Sequence, residues 1–210
     1  MHKVTITNVN AKEDREAWLA LRRQHITATD WPKITGTSRW GTPEDVLADK
    51  QDREVESEFG TSLPMRVGTD LEPLIIERAK PLLGSGEFLS QAFVARKHLG
   101  FTPDLMRIQE DAEWALAEIK VSVKAWRGAV PADYLDQVQF QAMVLGVDQV
   151  QVIHLQLSSW QEGLRMIRSG TLPVNRLAWY QVQVNERQRN RIERQATEWW
   201  KRNILNGVLT

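Results

Sequence analysis

The chain has 210 residues, enough for one α/β domain with a substantial core and too few for two ordinary ones. Its 27 basic and 27 acidic side chains cancel, so any polyanion it binds must meet a local patch of positive charge, with acidic groups gathered elsewhere, as around a metal. It contains no cysteine, which excludes disulfides, thiolate metal sites and a cysteine nucleophile. No apolar run approaches a membrane span, and the start Met1-His2-Lys3-Val4-Thr5 lacks the apolar stretch of a signal peptide, so a soluble cytoplasmic protein is expected.

In chain order, Asp14 to Gln24 reads as a helix carrying Trp18, Leu19 and Leu21 and ending near Arg22-Arg23. Thr27-Ala28-Thr29-Asp30 offers cap residues for a short helix, and Thr42-Pro43-Glu44-Asp45 has the Thr cap, first-turn proline and acids of a second helix start. Asp52 to Ser62 is polar and acidic and reads as a loop. Arg66 to Leu83 predicts a helix with Leu71, Leu74, Ile75 and Ala79 on one face. The period then changes. Ala92 to Phe101, Pro103 to Ile108 and Trp114 to Val121 read as strands, with Gln109-Glu110-Asp111-Ala112 joining the last two as a hairpin. Asp133 to Leu145 predicts a helix capped by Gly146, Gln149 to Leu157 a strand, Arg176 to Val184 a further strand, and Asn185 to Asn206 a long helix closed by Gly207. The nine tryptophans are expected to serve core and subunit packing rather than base stacking.

The chemistry concentrates in Thr102-Pro103-Asp104 and Glu118-Ile119-Lys120. Residues two apart on a strand share a face, so Glu118 and Lys120 form a charged pair inside an otherwise apolar strand, where burial is costly without partners. A hairpin brings Asp104 beside Glu118. Two carboxylates and an ammonium at one point suit a Mg²⁺ site that leaves room for water and a phosphate oxygen. On these residues alone, a surface salt bridge on an edge strand remains the alternative.

Four blocks widen the pattern. They are Trp18-Leu19-Ala20-Leu21-Arg22 with Ile26-Thr27-Ala28-Thr29-Asp30, then Gly68-Thr69-Asp70-Leu71-Glu72-Pro73, then Pro103-Asp104 with Glu118-Ile119-Lys120, and last Tyr134-Leu135-Asp136-Gln137-Val138-Gln139. In this order and spacing the chain resembles the lambda-exonuclease and YqaJ-type viral recombinase family of PD-(D/E)xK nucleases. It departs from the family pattern in three ways. Thr102-Pro103-Asp104-Leu105 stands where Ser-Pro-Asp-Gly is usual, Thr replaces Ser at Thr29 and Thr102, and no proline follows Lys120.

The resemblance implies a restriction-endonuclease-like α/β core, a mixed central sheet flanked by helices, filling residues 1–210 as one nuclease domain. It implies that Asp104, Glu118 and Lys120 are catalytic, and that Glu72, Asp104, Glu118 and the Ile119 carbonyl hold Mg²⁺, two per site, with Mn²⁺ able to substitute. Arg22, Thr29, Thr102 and Gln137 match positions that bind a terminal 5′-phosphate. Arg39 and Met65, read as loop residues, match DNA contacts: an arginine tracking the minor groove and a wedge at the duplex end. The implied activity is 5′-to-3′ digestion of one strand of linear duplex DNA to mononucleotides, leaving a 3′ overhang. A ring-shaped homotrimer and a single-strand annealing partner are implied with it, the ring being suggested also by Trp199 and Trp200 as surface candidates. Two rivals stay open. One is another nuclease of the superfamily, cutting internally or on single strands. The other is a DNA-binding subunit with a silent metal site.

Overall fold

The computed structural model describes residues 3–9, 13–53, 62–108 and 114–206. Among these, nine strands form two mixed sheets. The smaller runs β1 (Thr5–Thr7), β4 (Phe93–Arg96), β5 (Leu99–Phe101) and β2 (Ile26–Thr27), with β2 parallel to β5. The larger runs β3 (Glu87–Leu89), β6 (Leu105–Ile108), β7 (Ala115–Ser122), β8 (Gln149–Gln156) and β9 (Leu177–Gln183). Only β7 and β8 pair parallel in it.

The larger sheet has two covered faces. On one, Leu116, Val150 and Val152 meet Val138, Phe140 and Met143 of α5 (Ala132–Leu145) and Ile192 and Ala196 of α7 (Glu186–Trp200), with the smaller sheet completing the layer. On the other, Leu105, Ala117, Ile119, Ile153 and Leu155 meet Val67, Leu71 and Ile75 of α4 (Leu63–Leu83) and Met166 of α6 (Trp160–Ser169). Strand alternation separates these sets, so Glu118 and Lys120 follow Leu116 along the α5 face.

Local chemistry explains several elements. Asp14 caps α1 (Arg15–Arg23) by accepting from the Ala17 amide. Thr42 and Asp45 close a reciprocal capping box on α3 (Pro43–Lys50). Gly146 ends α5 in the left-handed region at φ 83°. α2 (Trp31–Thr35) begins after Asp30, whose side chain does not cap it. Its carboxylate instead accepts from the Thr27 amide and hydroxyl at 2.9 and 2.7 Å.

Several expectations are corrected. Residues 92–101 are two strands rather than one, because the chain reverses at Lys97-His98, with Lys97 at φ 58°. Asp104 lies in the bend before β6, one residue ahead of the strand. α4 begins at Leu63, which puts Met65 in its first turn and not in a loop. The C-terminal helix changes to a π-helical turn over Lys201–Leu205. Trp199 and Trp200 pack on the core, and His98 stacks on Trp200, so they are not free surface aromatics. β1, β2, β3 and α6 had no counterpart in the sequence reading. The 109–112 hairpin turn, most of the 52–62 loop and Gly207 lie outside the described residues.

Gly163 decides how closely α6 approaches α4. A Cβ there would stand 2.4 Å from Val67 Cγ1 and 3.0 Å from Leu157 Cδ1, inside contact distance for packed carbon. Gly163→Ala is expected to destabilise the fold by about 1–3 kcal/mol, the range for overpacking a filled core. Adding Val67→Ala should recover part of that loss in chemical denaturation. Additive losses in the double variant would show that the two positions do not share this contact.

Candidate active site

The register of β6 and β7 pairs Leu105 with Ala117. One further step of the same antiparallel register sets Asp104 opposite Glu118. Pro103 fixes the approach, and its carbonyl accepts from the Gln91 amide at 3.2 Å. Asp104 Oδ2 accepts from the Ile119 amide at 2.7 Å, which pins the carboxylate to the strand that carries the rest of the triad.

Glu118 is 2% exposed and has three donors. Lys120 Nζ and Gln137 Nε2 each lie 2.6 Å from Oε1, and Gln141 Nε2 lies 2.6 Å from Oε2. Gln137 and Gln141 are one turn apart on α5, so a single helix face delivers both amides. Lys120 Nζ also sits 4.9 Å from the Tyr134 ring centroid, within cation–π range. Behind it, Trp126 stacks on His154 with centroids 4.0 Å apart. Burial pushes the His154 imidazole down to about 4, so this neighbour of Lys120 across the β7–β8 ladder is neutral at physiological pH.

The pair of carboxylates is electrostatically loaded. Asp104 opens on the cleft, yet enough protein surrounds it that burial raises its pKa well above the carboxylate range. Glu118 and Glu72 push it further up, while Lys120 opposes them. The Lys120 ammonium is held protonated against its own desolvation by Glu118 and Asp104. Glu72 comes from α4 and accepts from Gln91 Nε2 at 2.8 Å. Gln91 is itself at φ 63°, a backbone state uncommon outside glycine. The next residue after Glu72 is Pro73, inside the helix. It removes the amide that would have bonded the Thr69 carbonyl, on the turn of α4 that faces the cleft.

These groups share one cleft of about 570 Å³ with Trp18, Arg22, Thr29, Met65 and Thr102. Arg22 Nη2 donates to Thr29 Oγ1 at 3.0 Å and lies 4.6 Å from the Trp18 ring centroid. Trp18 Nε1 donates to Thr102 Oγ1 at 3.0 Å. Below them, the fully buried Lys50 ammonium meets Asp30 at 2.7 Å and the Arg22 carbonyl at 3.0 Å.

The structure therefore brings together Arg22, Thr29, Met65, Glu72, Thr102, Asp104, Glu118, Lys120 and Gln137. The Gln137 amide is committed to Glu118. Arg39 stands, as expected, in a loop, the exposed one after α2, outside the cleft and 3.9 Å from Asp133. Thr29 does not cap α2, which frees its hydroxyl for Arg22. Sequence reasoning gave no role to Gln91, Gln141 or Lys50, nor to Trp18 and Asp30, although these last two stand in the first matched block.

The sequence matches the family described as YqaJ-like viral recombinase domain over residues 17–148. The chain belongs to this family. The protein YqaJ of Bacillus subtilis (strain 168), itself uncharacterized, is 23% identical over 205 residues, which are 94% of this chain and 59% of that protein. The chain thus spans somewhat over half the length of that relative. Among solved structures, the alkaline exonuclease of Laribacter hongkongensis superposes with TM-score 0.63 at 16% identity, over 90% of this chain and 92% of that one. Its complex with dAMP gives TM-score 0.66 at the same identity and coverage. A phage-related exonuclease from Haemophilus somnus 129PT gives 0.61 at 14%, over 92% of this chain and all of that one. At these identities the likeness is one of fold, and it matches the expected mixed α/β architecture.

Asp104 gives a pH-dependent test. A group whose folded pKa is raised contributes stability that is complete below its unfolded value, near 3.9, and is lost as pH rises through the folded one. This one group therefore opposes the gain in stability with rising pH that the lowered Asp30, His25, His98 and His154 give. In metal-free buffer Asp104→Asn, which can still accept from Ile119, should make the midpoint rise more steeply with pH than in the wild type, and raise it at pH 8 by about 2–4 °C for each kcal/mol of charge strain removed. An unchanged pH slope in the variant would contradict the assignment.

Proposed function

We propose that the chain is a Mg²⁺-dependent deoxyribonuclease that digests one strand of linear duplex DNA from its 5′ end to mononucleotides. The 3′ overhang it leaves serves single-strand annealing recombination. The observation that carries this reading is a single cleft joining the Asp104–Glu118–Lys120 cluster to the arginine–hydroxyl pocket of Arg22, Thr29 and Thr102. Membership of the viral recombinase family supports it. So does the dAMP complex of a structure similar in fold, since dAMP is a mononucleotide of the kind such an enzyme releases.

The donor set fits a hard divalent cation on this structure's own chemistry. Among the described residues, no three histidine or acidic groups close into a ready ligand cluster. The carboxylates of Asp104, Glu118 and Glu72 nevertheless exceed their local cation, and the mutual repulsion that raises Asp104 is what a divalent ion relieves. Glu72, Asp104, Glu118 and the Ile119 carbonyl would hold the metal, with Mn²⁺ able to replace Mg²⁺. A divalent ion there would lower the pKa of water and offset charge developing on the phosphate.

The remaining roles belong to the chain. Lys120, bonded to Glu118 at 2.6 Å, acts as a donor toward a phosphate oxygen or the attacking water. Gln137 and Gln141 donate to the two oxygens of Glu118 at 2.6 Å each and fix the orientation of its carboxylate. Arg22 presents a fork suited to a terminal phosphate, with Thr29 and Thr102 adding hydroxyls and Lys50 anchoring the backbone beneath. Met65, in the first turn of α4 and 52% exposed, is placed at the cleft to wedge the duplex end. Arg39 holds the duplex behind it. A homotrimeric ring around DNA and an annealing protein as partner complete the reading.

Digestion of 5′-labelled linear duplex beside circular plasmid tests it. Linear DNA should be consumed with Mg²⁺ and spared with EDTA, and the closed circle should persist. Lys120→Ala should lose roughly 100-fold or more in rate, as for other catalytic groups, with an unchanged circular dichroism spectrum. Near-normal activity in that variant would overturn the assignment.

Arg22→Ala tests polarity. It is expected to lose the preference for 5′-phosphate over 5′-hydroxyl ends while still cutting both. A variant that keeps the full preference would favour the endonuclease or single-strand reading.

A further inference from the structure

The C-terminal helix has two electrostatic sides. On one, Glu193 bonds Arg96 and Lys97 at 3.1 and 3.2 Å, and Arg189 is tied to Asp148 and to the carbonyls of Val147 and Val184. Ile192 and Ala196 form the buried seam. On the other side Arg187, Asn190, Arg191 and Arg194 are exposed, followed by exposed Lys201 and Arg202 in the π-helical turn. Among the described residues, none of these five cations lies within ion-pair distance of an acid. Glu186 to Leu205 carries six basic and three acidic residues, in a chain whose formal net charge is zero.

Helix physics does not ask for this arrangement. Arg187 with Arg191, and Arg191 with Arg194, are like-charge neighbours at i,i+4 and i,i+3, an arrangement that weakens a helix. Arg187 also stands in the first turn, where the helix dipole disfavours cations. The face runs about 22 Å from Arg187 to Arg202 at 1.5 Å per residue, interrupted once by exposed Glu198, and one DNA strand offers a phosphate roughly every 3.4 Å along the duplex. None of these residues lines the catalytic cleft. α7 packs on α5, the helix that sends Gln137 and Gln141 to Glu118, so the stripe lies behind α5 from the scissile position.

We propose that the Arg187–Arg191–Arg194 face of the C-terminal helix, continued by Lys201 and Arg202, is a second binding surface for the phosphate backbone of duplex DNA, separate from the catalytic cleft. It rests on the reading of the chain as a nuclease of duplex DNA. It gives a neutral protein the local positive charge that such a substrate requires. Contacts of this kind are made to phosphate and carry no sequence information.

The test is the salt dependence of binding to a long duplex, about 40 base pairs or ~130 Å at 3.4 Å per pair, followed by fluorescence anisotropy in metal-free buffer so that nothing is cut. Neutralising three phosphates contributes about 0.9 each to the slope of log K against log salt. The triple variant Arg187→Gln, Arg191→Gln, Arg194→Gln should therefore show a slope smaller by about 2–3, weaker binding at low salt, and an unchanged melting midpoint. Its rate on a saturating short duplex should match the wild type. An unchanged slope overturns the proposal. So does an unchanged slope with a lower assembly mass by light scattering, which would assign the face to a second copy of the chain. The expected slope difference between the two proteins, with a wild type that never cleaves DNA in Mg²⁺, would strike only the nuclease reading.

Discussion

A buried carboxylate is the constraint around which the structure is organised. Glu118 sits on a central strand with hydrophobic neighbours on both faces of the sheet, and an ionised group there is stable only if its oxygens are fully paired. Three donors meet that need, and each depends on a different part of the fold. Lys120 follows from strand alternation. Gln137 and Gln141 follow from α5 lying with one face on β7, a position fixed by Phe140, Val138 and Met143 packing into the core. Any shift of α5 would strand a charge in the interior, so core packing and site geometry are the same requirement.

The other end of the cleft is held in the same way. Asp30 and Lys50 are both buried and bonded to each other, and a buried ion pair is by itself weak evidence for stability. Its position is more telling. Lys50 also takes the Arg22 carbonyl, and Asp30 takes the amide and hydroxyl of Thr27, whose Oγ1 lies 3.1 Å from that of Thr29. The pair thus sets the end of α1 against the β2–α2 turn, the two segments that carry Arg22 and Thr29. The charge serves as a spacer that fixes where an exposed arginine and hydroxyl stand.

Much of this was legible in the sequence, and what was not has physical reasons. The charged pair in an apolar strand, the capping box of α3 and the long amphipathic α4 are local patterns, written within a few residues of each other. The strands β1, β2 and β3 are two or three residues long, too short for any period to show. The 93–101 hairpin turns at Lys97 in a left-handed conformation that Gly or Asn usually marks, so no turn signal was present. α6 was obscured by Gly163, a poor helix former retained because Val67 leaves no room for a Cβ. Gln91 and Gln141 escaped notice because an amide has neither charge nor periodicity to mark it. Only the fold shows that both face carboxylates.

The loaded state of the site is itself informative. Asp104 is pushed toward protonation by burial and by two other carboxylates, which is a local conflict that packing alone gives no reason to keep. A hydrophobic residue opposite Glu118 would remove the repulsion between the two carboxylates. Conflicts of this kind mark candidate functional sites, and a cation bound between the carboxylates would relieve this one without a proton. The same reasoning extends to the surface: like-charged arginines on α7 carry a cost to the helix that a polyanion would remove. In both places the sequence departs from what stability favours, with excess negative charge in the cleft and excess positive charge on α7, so each has the sign that a ligand of opposite charge would offset.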